Sequence, residues 1–434
     1  MTESIKSKND LCTGCNRCVR ECPMETACIT YQDEDRKIKV RIDRDRCISC
    51  GRCVIACKHD ARYFADDTER FFDDLAAGIP VSIIVAPAFK ANMPEYKRLF
   101  TYLKQVGIRN IYDVSLGADI CVWAHINYIE KTGGVPMITQ PCPAIVTYCE
   151  MNHRDLLKKL SPVQSPMACT SIYMKQYRGI NDRIAAVSPC IAKSDEFEET
   201  GLAQYNITFS SLQDFLADNM IQLPEEETGF DHDESGPGSL FPMPGGLKEN
   251  IEYFLGNKLH IAKAEGFGVY EKLNKYAEAP EDFLPDIFDV LNCEEGCNVG
   301  SATSHDKSIF EIDKTMDANR RKASEECNRE RYEAVYKSYD EVLDFSHFTR
   351  EYKPVFFPYR QISNADIKNA FDLLSKLDYE SQHIDCGACG SETCYAMARK
   401  IVLNVNIPEN CIFKSKEDAK AEYERKIQDL ERLA

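Results

Sequence analysis

Ile184-Ala185-Ala186-Val187-Ser188-Pro189-Cys190-Ile191-Ala192-Lys193 is a short apolar run that stops at a proline, then delivers a thiol and an ammonium group. Small and branched apolar residues without helical spacing predict a buried strand, and Pro189 ends it because proline cannot donate to a sheet ladder. The same grammar recurs along the middle of the chain. Val81-Ser82-Ile83-Ile84-Val85 stops at Ala86-Pro87-Ala88, and Ile111-Tyr112-Asp113-Val114 stops at Gly117-Ala118-Asp119. Val135-Pro136-Met137-Ile138-Thr139 runs into Gln140-Pro141-Cys142-Pro143. Helical patterns separate these runs, which predicts an α/β domain. Ligands of such domains bind at the carboxyl ends of strands, so the loops that carry cysteine are the candidate site. A further element, Leu291-Asn292-Cys293-Glu294-Glu295-Gly296-Cys297-Asn298-Val299-Gly300, puts two sulfurs on one side of a turn whose glycines keep backbone bulk away. Four cysteines on three distant loops can meet only in the fold.

Composition bounds what such a site could serve. The chain has 434 residues, enough for several domains, and no apolar run near the ~18 residues that a membrane span requires. Its 53 Lys plus Arg against 70 Asp plus Glu give a net charge of −17, which disfavours nucleic acid and anionic membrane as partners. The first residues, MTESIKSKND, carry no apolar stretch of a secretory signal, so a soluble, cytoplasmic and reduced protein is expected. A reduced chain has little structural use for 21 cysteines unless they bind metal.

Near the start, Cys12, Cys15, Cys18 and Cys22 read C-x2-C-x2-C-x3-C-P, and Cys47, Cys50, Cys53 and Cys57 repeat the spacing with Lys58 in the proline's place. Three thiols two residues apart wrap the corners of a cubane, whereas structural zinc sites use separated C-x2-C pairs. The runs resemble the bacterial two-cluster ferredoxin pattern, in which the fourth Cys of each run ligates the other cluster. That implies one 4Fe-4S cluster on Cys12, Cys15, Cys18 and Cys57, and its twin on Cys47, Cys50, Cys53 and Cys22. Toward the other end Cys386, Cys389, Cys394 and Cys411 suffice for a third, with zinc as the alternative metal. Gly387 and Gly390 let that loop turn tightly and aim N–H groups at sulfur.

The middle of the chain resembles the active-site domain of the FeFe-hydrogenases. Thr139 to Pro143 stands where that family has Thr-Ser-Cys-Cys-Pro, and Ser188 to Lys193 where it has Met-Pro-Cys-x-x-Lys. Cys293 to Gly300 stands where it has C-x3-C with glycines. The resemblance implies an H-cluster: a cubane on Cys142, Cys190, Cys293 and Cys297, with Cys297 bridging to a two-iron subsite that carries CO, cyanide and an azadithiolate. Lys193 would hydrogen-bond a cyanide, and Ala86, Pro87 and Ala88 would line the subsite. The implied architecture is α/β, with an active-site domain of two mixed sheets flanked by helices. An N-terminal two-cluster ferredoxin-like α+β domain spans 1–78, the active-site domain 79–350, a link 351–379, and a small iron–sulfur domain with a charged helical tail 380–434.

Departures from the family pattern shape the expected activity. Catalytic members use the first cysteine of the Cys-Cys pair as acid or base, and Pro141, which has no exchangeable side-chain proton, stands in its place. The two glutamates that follow Gly-Ala-Asp in the family are absent from Gly117 to His125. Ser188 and Leu291 replace methionines, and Ala88 replaces a frequent serine. The chain therefore resembles the sensory group D hydrogenases, in which a slow site reports hydrogen or redox state through a redox or signalling partner. A catalytic hydrogenase subunit of an electron-transfer complex is one alternative, and a hydrogenase-like iron–sulfur assembly protein without the two-iron subsite is another. With Pro141 inert, Cys169 in Ser165-Pro166-Met167-Ala168-Cys169 is the candidate proton carrier, provided its surroundings lower its pKa, and Glu252 the candidate for the outer step.

Cys28, Cys121, Cys149 and Cys327 read as packing residues. Residues 225–236 read as an acidic surface loop, and 306–340 as a charged helical stretch that covers the active domain. In the tail, Tyr423, Ile427, Leu430 and Leu433 fall at helical spacing, which suits packing on their own domain first and a homodimer contact second.

Overall fold

The computed structural model describes residues 5–139, 141–232, 237–256, 258–326, 329–357 and 360–433. Gln140, residues 233–236, Cys327 and Pro358 lie outside the described residues, and with them the reading of Cys327 as a packing residue.

Two sheets form the middle of the chain. The larger has four strands in the order Ile111–Asp113, Val81–Val85, Arg183–Ser188 and Tyr205–Thr208. The smaller has three, in the order Ile261–Glu265, Ile287–Leu291 and Met137–Thr139. Every described pairing in both sheets is parallel, where mixed sheets were expected. Each connection is long and helical, which is what parallel neighbours require. Both faces are covered, so Val81–Val85 and Ile287–Leu291 are buried along their whole length.

This topology positions the site. Val81–Val85 pairs with Ile111–Asp113 on one side and Arg183–Ser188 on the other, so the chain leaves its end in opposite directions. The gap between Val85 and Ser188 is thus a switch point, and Ala86-Pro87 and Pro189-Cys190 emerge there. The smaller sheet delivers its own strand ends, Thr139 and Leu291, to the same place.

Helix Ser115–Thr132 is buried from Ser115 to His125 and packs on helix Pro166–Ile172. The approach is close enough that a Cβ at Gly117 would lie 2.1 Å from the Pro166 carbonyl oxygen, so only glycine fits. The charged stretch forms helices Ile309–Glu326 and Arg329–Val342. The second of these covers the long helix, with Tyr332 Oη donating to Asp119 Oδ1 at 2.9 Å and Trp123 Nε1 donating to Asp340 at 2.8 Å. Of the acidic loop, Asp231 accepts from the Ile111 amide at 2.6 Å and His232 from that of Asp113 at 2.8 Å, so it caps the sheet edge.

The N-terminal module pairs Ile5–Ser7 with Arg62–Phe64 and Cys28–Gln32 with Ile38–Ile42, both antiparallel. Its two cysteine runs share backbone shape as well as spacing. Gly14 and Asn16 in the first run, and Ser49 and Gly51 in the second, have positive φ and fold each run around a common centre. The helix Asn364–Leu373, read as part of the link, instead packs with Cys394–Val402 in the core of the terminal module. Tyr423, Ile427, Leu430 and Leu433 are exposed, so the tail helix Ile412–Leu433 does not pack on its own domain through that stripe. No helix among the described residues is long and apolar enough to cross a membrane.

Candidate metal centre

The strand ends converge on one pocket with a largely apolar lining. Cys142, Cys190, Cys293 and Cys297 all line it, with Ala86, Pro87, Pro141 and Lys193; Ala88 is buried just behind. The loops approach tightly, since a Cβ at Gly296 would lie 2.2 Å from the Pro242 carbonyl and one at Gly300 would lie 2.3 Å from that of Pro189. Cys142 precedes helix Pro143–Asn152 and Cys190 lies just before helix Lys193–Thr200, so two helix N-termini aim at the cavity and favour negative charge there.

Burial raises the pKa of all four thiols, Cys190 and Cys297 to about 12. Unaided they would stay protonated, so thiolates here require a metal to replace the protons. Amides of Asn292 and Ile145 point at the Cys142 sulfur, the kind of donor that supports a cluster thiolate. A four-thiol set in an apolar-walled cavity that also holds an ammonium group fits a cubane with a second group beside it.

Lys193 supplies the cation. Its side chain is 9% exposed; Nζ donates to Ser165 Oγ at 3.1 Å and the Pro141 carbonyl at 3.4 Å, and pairs closely with the buried Glu196 carboxylate.

The other candidate residues lie farther out. Cys169 is fully buried about one turn along the helix from the lining residue Pro166, and its thiol donates to the Gln164 carbonyl at 3.4 Å. The expected lowering of its pKa does not occur. Burial, then its hydrogen bond to Cys121, push it well up. The lowered thiol is Cys121, read from the sequence as packing. Burial opposes ionisation there, but the Cys169 hydrogen bond and the charge of His125 outweigh it and bring Cys121 to about 6. His125 lies 3.7 Å from the Cys121 sulfur through Nδ1 and 2.9 Å from Ser161 Oγ through Nε2. Cys-x3-His on one helix face was the sequence signal for this pair. Glu252 is half-buried outside the cavity lining and pairs with Lys248 at 3.6 Å.

Two further cysteine sets approach this centre. Cys22 is among the groups raising the pKa of Cys47, Cys50 and Cys53, which places it beside the second run. Cys28 packs against this region, its thiol 3.4 Å from the Cys18 carbonyl. Asn292 ties the second run to the cavity, its amide donating to the Cys50 carbonyl at 3.1 Å and to the Cys293 sulfur at 3.6 Å. Arg52 and Tyr270 hold Asn292 from the other side. Cys386, Cys389, Cys394 and Cys411 line one small pocket of their own. The terminal module docks on the first run, with Asn16 donating to Asn410 Oδ1 at 2.8 Å and Arg20 to the Gly387 carbonyl at 2.7 Å. The cysteine sets thus stand in file from Cys386 to the cavity. Changing Cys386 to Ser should remove about four irons per chain; loss of zinc instead would contradict an iron–sulfur cluster there.

These strand-end loops and thiols define a metal-binding iron–sulfur protein of hydrogenase type. Residues 79–301, just over half of the chain, match the family described as iron only hydrogenase large subunit, C-terminal domain, and the chain belongs to that family. Residues 11–61 match the 4Fe-4S dicluster domain and residues 382–413 an Fe-S cluster family. Iron hydrogenase 1 of Clostridium pasteurianum is 27% identical over 201 residues, 39% of this chain and 35% of that protein. The cytosolic Fe-S cluster assembly factor NAR1 of Vanderwaltozyma polyspora is 25% identical over 157 residues, 33% of this chain and 30% of its own length. The matches thus span about a third of the length of these curated relatives. A solved FeFe-hydrogenase shares the fold with a TM-score of 0.53 at 17% identity, covering 67% of this chain and 99% of its own. An FeFe-hydrogenase of Chlamydomonas reinhardtii does so at 0.52 and 18%, with the same coverage.

Proposed function

We propose that this chain slowly and reversibly interconverts hydrogen with protons and electrons, and that it serves as a hydrogen or redox sensor. The observation that carries the reading is the buried Lys193 ammonium in a cavity lined by four cysteines, beside a proline where the family's proton carrier belongs. Cys142, Cys190, Cys293 and Cys297 would hold the cubane of an H-cluster. When bound, the two-iron subsite joined to that cubane supplies the hydrogen redox chemistry. Lys193 would orient an anionic ligand of that subsite, while Ala86, Pro87 and Phe241 exclude water. Three accessory 4Fe-4S clusters would pass electrons between the cavity and a redox or signalling protein.

The inner proton step is proposed to run through the pair Cys169 and Cys121, in which the Cys169 thiol is held protonated and the Cys121 thiol is brought down to about 6. General acid–base help contributes ~10²–10⁴-fold, so losing the acid at position 141 should leave hydrogen evolution slow by about that factor. Gas chromatography with a reduced viologen measures it. Cys169→Ala should lower turnover a further ~10-fold or more with iron content unchanged. Turnover as fast as an enzyme with an intact relay would contradict the sensory reading, and an undiminished Cys169→Ala would remove Cys169 from the route.

A second reading is favoured by the likeness to the assembly factor NAR1: a cubane-bearing assembly protein with no two-iron subsite. Such a protein would have little use for a cation buried in the cavity.

A further inference from the structure

A buried group of charges leads from the cavity toward the surface on the side of Lys193. Glu196, the partner of Lys193, is 6% exposed. Beyond it lies the Arg350 guanidinium, which feels the Glu196 charge and pairs with Glu199 at 2.7 Å. The Glu199 side chain is 51% exposed and so meets solvent. Glu150, 7% exposed, faces the same guanidinium from helix Pro143–Asn152, and its carboxylate also accepts from the Lys353 amide. Tyr352 stacks under Arg350, with 4.8 Å from the guanidinium carbon to the ring centre. Arg350 thus pairs directly with the exposed Glu199, while Glu150 and Glu196, on two helices that pack together, share its electrostatic field.

We propose that Glu196, Glu150 and Glu199, gathered round Arg350, are the outer leg of the proton route, exchanging protons between solvent and the cavity at Lys193. The inference rests on the hydrogen reading above and assigns to these glutamates the outer step given to Glu252. A proton taken up by the Glu199 carboxylate passes to Glu150 and on to Glu196, each group releasing one proton as it accepts the next. Once Lys193 or Cys169 has released its own proton into the cavity, Glu196 replaces it; both groups feel the Glu196 charge. No bond other than O–H, N–H or S–H changes, and electrons arrive separately through the clusters.

The electrostatics favour a resident proton. Burial first, then the Glu199 charge, raise the Glu150 carboxyl to about 7, against the pull of Arg350 and the Lys353 amide. Cys149 beside it is itself raised to about 12 and stays a neutral thiol. Glu150 thus sits half-loaded near neutral pH, where a proton carrier moves charge most readily.

The test uses the full chain in two forms. In protein lacking the two-iron subsite, an infrared carboxylic C=O band should fade as pH rises through about 7, and Glu150→Gln should abolish it. In the loaded protein, Glu150→Gln should slow hydrogen turnover ~10-fold or more, erase the inflection near neutral pH, and leave iron content unchanged. Glu150→Asp should restore most of the rate, which a merely structural role would not predict. Absence of the band in the wild type would overturn the proposal, as would full turnover with an unchanged pH profile in Glu150→Gln. A loaded wild type without any turnover would defeat the hydrogen reading, and this route with it. Normal wild-type turnover beside an unaffected Glu150→Gln would defeat the route alone.

Discussion

Gly300→Ala should empty the active-site cavity of its iron while leaving the accessory clusters in place. The added Cβ would lie 2.3 Å from the Pro189 carbonyl oxygen and 2.9 Å from its Cβ, distances that real Cβ atoms do not show. Neither neighbour is the free end of a flexible side chain. Pro189 is a ring, and its carbonyl already accepts from the Ala302 amide at 2.9 Å. The loop carrying Cys297 must therefore retreat from the loop carrying Cys190, and four thiols that no longer converge cannot hold one cubane. On the proposed cofactor set, iron should fall from about 18 per chain toward about 12, with the proposed subsite's infrared bands lost and the terminal cluster intact. A Gly300→Ala protein with full iron and unchanged bands would show that this contact does not set the ligand geometry.

Lys193→Ala should destabilise the protein by ~3–5 kcal/mol, because removing one partner of a buried ion pair strands the other. Lys193 is 9% and Glu196 5% exposed at the side chain, so Glu196 gains little from water when its partner is gone. Ser165 Oγ and the Pro141 carbonyl lose a donor at the same stroke. Replacing both charges, as Lys193→Met with Glu196→Gln, should recover most of the loss, the pattern expected of two groups in direct contact. Unfolding by denaturant, with the accessory clusters present in every variant, measures the cycle. A single-mutant loss under ~1 kcal/mol would mean that Arg350 takes over the Glu196 charge.

The strands that build the site were legible in the sequence, because apolar runs ending at Pro or Gly need no distant information. Ile184 to Val187, Val81 to Val85 and Ile111 to Asp113 all lie in observed strands, and their loops deliver the residues named from them. Sheet membership was not legible. Met137–Thr139 pairs with Ile287–Leu291 rather than with the strands nearer to it in sequence, a choice made by packing across some 150 residues. The same holds for Asn292, whose role depends on Cys50 arriving from 242 residues away. Lys193 and Glu196 stand three apart at the start of a helix, a spacing that was visible, but only burial turns it from a solvated pair into part of the cavity wall. The exposed stripe of the tail helix misled for the converse reason, since helical periodicity shows that a face exists and not what covers it.

On the proposed reading, the cavity holds a hydrogen-responsive two-iron subsite on this chain's four cysteines. Infrared spectra of the loaded full chain, taken with and without hydrogen gas, should show carbon monoxide and cyanide bands that change under hydrogen and vanish in Cys297→Ala. Iron at or below about 16 per chain with no such bands would contradict it, leaving a protein that carries cubanes alone.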